Sequence, residues 1–234
     1  MHRGVRMRAK QIIPLLFGIV GVAILLSLGT WQVRRLAEKE AVLAEIDARI
    51  GAEPGALPEV PDPARDKYLP VEVTGDLTGD SIRVLVSQKQ IGAGYRYITA
   101  METEAGRIMV DRGFVPVRET AAPAAAQGVT VQGNLHWPDE VDGYTPEPDL
   151  GAGIWFARDV EAMAAHLDTR PILVVARAVS QSEPLATPLG LDSSGIPNDH
   201  LEYAITWFSL AVIWAAMTVY FLWRQRRPDK GTIR

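Results

Sequence analysis

The sequence predicts a membrane protein in which two transmembrane α-helices flank one strand-rich α+β extramembrane domain with a barrel-like body. Three observations predict it. Residues 11–33 and 203–223 contain no Asp, Glu, Lys or Arg, and roughly 20 apolar residues at about 1.5 Å each cross a hydrocarbon core. Basic residues crowd the outer flanks of both stretches. From about residue 68 the apolar pattern changes from helical to alternating, the period of a half-buried strand. A mean hydropathy of +0.04 hides the two spans, because the middle of the chain is polar.

The first segment, residues 1–10, carries Arg3, Arg6, Arg8 and Lys10, and residues 224–234 carry Arg224, Arg226, Arg227, Lys230 and Arg234. The inner flanks hold only Arg34, Arg35 and Lys39. Under the positive-inside rule both tails are cytoplasmic and residues 34–199 are periplasmic, which predicts a multi-pass protein of the cell inner membrane. The first span, 11–33, reads as an uncleaved anchor. Its apolar run exceeds the 7–15 residues of a signal-peptide core, and no small-residue cleavage pattern follows it. The second span is read as 201–223.

Charge and composition exclude several functions. Residues 11–223 hold 15 basic and 27 acidic residues, a net charge of −12. Phosphate neutralisation needs positive charge, so nucleic acid is not an expected partner, whereas membrane lipid is. With no cysteine, disulfides, thiolate metal sites and covalent heme attachment through C-x-x-C-H are excluded. Only 11 residues follow the second span, which speaks against a signalling receptor.

Between the spans, residues 34–50 continue the first helix, because Leu36, Val42, Leu43, Ile46 and Ile50 recur at helical spacing. Gly51 and Pro54 end it, and a Pro-rich link runs over 54–63. Strands are predicted at 71–74, closed by Gly75-Asp76, and at 82–86. A hairpin pairs 95–101 with 107–115 around Glu104-Ala105-Gly106. A short strand follows at 129–131, and a buried one within 171–179 contains Ile172-Leu173-Val174-Val175. One helix spans 158–167. Residues 121–128 and 140–153 read as irregular loops, and 184–197 as a second Pro/Gly-rich link.

No enzyme signature is present: no G-x-S-x-G, no P-loop and no H-E-x-x-H. His136, His166 and His200 lack the close ligand pairs of a three-histidine metal site. His166 sits near a helix C-terminus, which favours a cation there. His136 neighbours Trp137-Pro138 in a predicted turn. His200 differs, because it stands at the outer end of the second span. Tyr203, Trp207, Leu210 and Trp214 follow it on one helical face. An imidazole above a column of rings suits heme, with His200 as the ligand of the heme iron. The other reading is an ordinary interfacial aromatic belt. If the two helices pack, Trp31, Gln32, Arg34 and Arg35 lie at the same level. Arg34 or Arg35 then pairs with the propionates, or simply snorkels.

The motifs resemble a known family. Leu28-Gly29-Thr30-Trp31-Gln32 with Arg35 and Lys39 is similar to the opening motif of the surfeit locus protein 1 family. Gly94-Tyr95-Arg96 with Ile98-Thr99, and Val110-Asp111-Arg112-Gly113-Phe114-Val115-Pro116, resemble its central hairpin. Trp155-Phe156 with Arg158-Asp159 is similar to another block, and the run from Asn198 to Phe208 resembles its most distinctive motif. The chain departs from it at Glu38, Asp111, Phe114 and Asp199, where Trp, Asn, Trp and Asn are common. The resemblance implies a bacterial, non-enzymatic assembly factor for heme-copper cytochrome c oxidase. It implies that heme a is bound transiently, with His200 as its ligand. It also implies a sequence of partners: heme a accepted from heme a synthase, shielded by Trp207, and passed to the oxidase catalytic subunit. The alternative is a membrane-anchored scaffold that stabilises an oxidase intermediate without heme. Tyr68, Arg112, Gly113 and Arg158 then serve folding or docking, with Arg112-Gly113 a turn bearing a surface Arg.

Overall fold

The computed structural model describes residues 9–88, 92–119, 121–181 and 185–226. The tail residues His2, Arg3, Arg6, Arg8, Arg227, Lys230 and Arg234, and Pro184 at the head of the second link, lie outside the described residues. The chain divides into two compact units. One comprises the chain up to Ala44 and from Ser194 onward, and the other is Glu45–Ser193.

The first unit is built on two long helices. Helix α1 (Ala9–Ile50) is unbroken over 42 residues, with Pro14 accommodated near its start. At 1.5 Å per residue it is about 60 Å long, twice the ~30 Å of a hydrocarbon core. The expected continuation of the first helix through residue 50 is therefore present. Two side chains close its C-terminal end, where carbonyls lack intrahelical partners. Asn134 Nδ2 and Arg177 Nη1 donate to Ile50 O at 3.0 and 3.1 Å. Helix α4 (His200–Arg226) is also long and apolar enough to cross a membrane. Neither helix buries its apolar surface inside the protein. Ile13 is 74% exposed and Val212 is 69% exposed, which no core helix of a globular domain tolerates.

Small residues let α1 and α4 approach. A Cβ on Gly18 would meet the Thr218 side chain, one on Gly21 the Trp214 indole, and one on Gly29 the Phe208 ring. As the number rises along α1 it falls along α4, so the helices run antiparallel. Ala204 and Ala211 are buried on α4. Close packing on small residues is how apolar helices associate where solvent supplies no hydrophobic drive.

Among the described residues the second unit is one seven-stranded sheet with two short helices. The strands are β1 (Gly55–Ala56), β2 (Pro70–Gln88), β3 (Gly92–Thr103), β4 (Gly106–Pro116), β5 (Ala126–Leu135), β6 (Ile154–Trp155) and β7 (Leu173–Val179). Helix α2 (Pro63–Asp66) begins at Asp62, whose carboxylate accepts from the amides of Ala64 and Arg65. Helix α3 (Val160–Leu167) is capped by Asp159 and ends at Asp168, which takes a left-handed φ of 52°. The order is β1-β2-β3-β4-β7-β5, with β6 on β2 and a further pairing of β2 with β5.

The predicted hairpin at residues 95–115 is present as β3–β4, with Thr103 opposite Gly106. Two strand boundaries differ from expectation. Gly75-Asp76 does not close a strand: residues 71–74 and 82–86 belong to the single 19-residue β2. Residues 70–77 pair with β5 and residues 75–88 with β3, the latter with a register shift between Leu77 and Ser81. A Cβ at Gly75 would sit 1.9 Å from Glu102 O, so glycine there serves close strand approach rather than a turn. Strand β5 begins at Ala126, inside the predicted 121–128 loop. The sheet is strongly bent: β2 pairs with both β3 and β5, and the β4–β7 contact is short, with only the register pairs 109–173, 110–174 and 111–175.

Alternation distributes the core. Ile108, Val110, Val174 and Ala176 join one cluster with Val71, Leu77, Val131 and Leu135. Their neighbours Met109, Leu173 and Val175 join the other, under Val160, Met163 and Leu167 of α3. Both faces of β4 and β7 are thus buried, which explains the unbroken apolar run in β7.

Candidate cofactor-binding site

In the first unit, His200 is the first residue of α4, where Tyr203 N donates to Asp199 O. Its ring is half-buried, and its Nδ1 lies 2.7 Å from Gln32 Oε1 on α1. Gln32 is only 8% exposed. An amide oxygen can only accept, so Nδ1 carries the proton and donates. The second ring nitrogen, Nε2, then keeps its lone pair for a metal.

The other expected site residues are placed less closely. Trp31 and Arg34 line a shallow groove with Leu26, Ser27 and Thr30, all on α1. Arg34 is two residues from Gln32, about 200° round a helix of 3.6 residues per turn, so it projects away from the His200 side. Arg35 is about 60° from Gln32. Its Nη1 binds Glu38 Oε2 at 2.8 Å, both exposed, a pair of small energetic weight. Tyr203 is exposed and Trp207 half-buried. The aromatic column divides: Trp214 turns into the helix pair, 5.5 Å from the Phe17 ring, while Leu210 stays exposed.

The second unit buries a cluster of charge. Asp111 of β4 is fully buried. Arg96 Nη1 of β3 reaches its Oδ2 at 2.5 Å, and Arg158 Nη1 reaches the same oxygen at 3.5 Å. Gly113 N donates to Asp111 Oδ1 at 3.0 Å. Arg158 also grips Glu140 through Nε, Nη2 and its backbone N–H. Burial pushes the Glu140 carboxyl up, but Arg158 outweighs it and holds the group below the usual carboxylate range. Beside them, burial first, then the charges of Arg158, Lys67 and Arg96, push His136 down to about 3. His136 is therefore neutral, and among the described residues its Nδ1 has no hydrogen-bond partner.

Two guanidiniums balance two carboxylates here, so the cluster reads as an internal clamp. Arg112-Gly113 is not the expected turn with a surface Arg. Both residues lie within β4, and Arg112 is 5% exposed with Nη1 donating to Ala124 O at 2.8 Å. Gly113 takes φ +107°, and a Cβ there would lie 2.0 Å from Thr187 O. The segment after β7 thus pairs on β4 at Phe114–Thr187, which no side chain at 113 would allow.

The family model described as the SURF1 family matches residues 19–212. That range covers most of α1, the whole sheet and the first half of α4.

The chain belongs to the SURF1 family.

A SURF1-like protein of Monosiga brevicollis is 31% identical over 228 residues, covering 88% of this chain and 86% of that one. A SURF1-like protein of Rickettsia felis is 29% identical, covering 88% of this chain and 95% of that one. Human Surfeit locus protein 1 is 31% identical, covering 79% of this chain and 69% of that one. The SURF1-like blocks read in the sequence fall into two spatial groups. Gln32 and His200 meet in the first unit. Arg96, Asp111 and Arg158 meet in the second, where they are joined by Glu140 from a loop with no motif. Sequence reasoning left that cluster unassembled. The available signal was charge inside a strand whose neighbours are apolar, as at Asp111 after Met109-Val110, since a buried charge requires a partner.

Proposed function

We propose that this SURF1 protein is a membrane-anchored, non-enzymatic assembly factor for heme-copper cytochrome c oxidase. It holds heme a at His200 on its way into the catalytic subunit. The observation that carries this reading is the single imidazole with a free Nε2 at the head of α4. One nitrogen is too little to retain a bare metal ion. It is enough for iron that arrives with four nitrogens of its own, and a lone protein ligand lets the group leave again. Among the described residues no cluster of three or more His, Asp or Glu offers a competing metal site.

When bound, heme supplies the iron and the flat apolar macrocycle. His200 would ligate the iron. Tyr203, Trp207 and Trp31 would cover the ring, and Arg35 would serve a propionate, whereas Arg34 faces away from His200. The exposed apolar faces of α1 and α4 are read as lipid-facing spans of the inner membrane, with both termini cytoplasmic and the sheet unit periplasmic. Heme a synthase would supply the group, and the oxidase catalytic subunit would receive it.

The test is an absorption spectrum of protein purified from cells that synthesise heme a, wild type beside His200→Ala, with the heme a content of the oxidase from the same cells. The wild type is expected to carry heme a and His200→Ala to lose most of it. Equal spectra and unchanged oxidase heme would replace this reading with the scaffold.

A further inference from the structure

Gln32 presents a problem that the helix pair must solve. Its carboxamide is buried where α1 meets α4, on a seam of glycine, alanine, aromatic rings and Thr218, whose hydroxyl bonds its own helix at Trp214 O. An unpaired buried amide costs about 1–3 kcal/mol. Any aliphatic residue would pack there without that cost. The amide has a specific partner instead, the His200 ring nitrogen Nδ1 at 2.7 Å.

The identity of that partner has a chemical consequence. A histidine that ligates a metal through Nε2 is held in place through its other nitrogen, and the group accepting from Nδ1–H sets the ring's orientation and its strength as a donor. A carboxylate would draw the Nδ1 proton strongly and make the ring a better ligand. An amide oxygen accepts without a charge. It fixes which nitrogen is bare and where it points, and adds no charge behind the ring.

We propose that Gln32 is a positioning residue for His200. It holds the ring as the Nδ1–H tautomer with Nε2 free, and its neutrality keeps the ligand weak enough for the cargo to be released. This rests on the reading of His200 as a heme ligand. It adds that the acceptor behind the ring, rather than the histidine alone, sets the ease of release.

Two measurements on the full-length protein in detergent test it. The first uses isotope-labelled histidine in heme-free protein and reads the tautomer of His200 by magnetic resonance. Wild type is expected to show Nδ1 protonated and Nε2 bare, and Gln32→Leu to show a tautomer mixture. The second loads heme a and follows its transfer to an excess of apomyoglobin, together with the reduction potential. Gln32→Glu keeps the reach of the side chain and adds a charge. It is expected to slow release about tenfold or more and to lower the potential, and Gln32→Leu to speed release by a similar factor. A wild-type ring protonated on Nε2 overturns the proposal, as do Gln32→Glu and Gln32→Leu releasing heme at the wild-type rate. Failure of the heme reading itself shows differently: His200→Ala then holds heme a as well as wild type does, whatever the tautomer.

Discussion

Asp111 has no exposed surface, and two guanidiniums answer it. Removing one partner from such a pair leaves an uncompensated buried charge, at a cost of about 3–5 kcal/mol. His136, beside the cluster, makes the unit sensitive to acid. In the unfolded chain it takes a proton near its ordinary pKa of about 6.5, but in the folded protein only near 3. Its contribution is therefore fully present above about pH 6.5 and is lost as pH falls toward 3. The limiting slope is about 1.4 kcal/mol per pH unit. Thermal unfolding between pH 6.5 and 4.5 is expected to show this decline in wild type and a flatter profile in His136→Gln. Parallel profiles would mean that other groups carry the acid response.

At the scale of elements, the helix pair depends on where side chains are absent. Gly18, Gly21 and Gly29 each lie where a Cβ would strike α4. The ideal Cβ of Gly18 sits 3.0 Å from Thr218 Cβ, near the 3.5–4.5 Å of a disulfide after a small adjustment. The chain has no cysteine of its own. Gly18→Cys with Thr218→Cys is therefore expected to oxidise to an intramolecular disulfide, seen as protection from a maleimide-polymer gel shift. Adding Gly29→Leu, which drives a side chain into the Phe208 ring, should reduce its yield severalfold. A yield independent of Gly29 would show that the helices do not pack along this seam. Strand β2 follows the same logic in a sheet. Gly75 lets it continue past Glu102 O, so one strand pairs with both β3 and β5.

For the whole molecule, the distribution of charge predicts sidedness. The tails are basic, and residues 11–223 carry a net charge of −12. Tyr144, 95% exposed in the sheet unit, is a reporter. Tyr144→Cys is expected to react with a membrane-impermeant maleimide in cells whose outer membrane alone is permeabilised. Reaction only after lysis would reverse the proposed topology.

The sequence by itself determined the local features. Charge-free runs longer than 20 residues, a change of apolar period from helical to alternating, and turn residues at 104–106 are short-range signals. They read directly as two long helices, a strand-rich middle and the β3–β4 hairpin. The motif blocks placed the chain in its family. Only the tertiary structure decided what those blocks do together. Nothing local distinguishes Gly75, which keeps a strand running, from a glycine that ends one; the difference is the Glu102 carbonyl beside it. Nothing in the spacing of 96, 111, 140 and 158 says that they meet. Gln32 and His200 stand 168 positions apart, yet they share a hydrogen bond because the antiparallel seam brings the middle of α1 to the first turn of α4. Which nitrogen of a histidine is free depends on its neighbour, and that neighbour is chosen by packing.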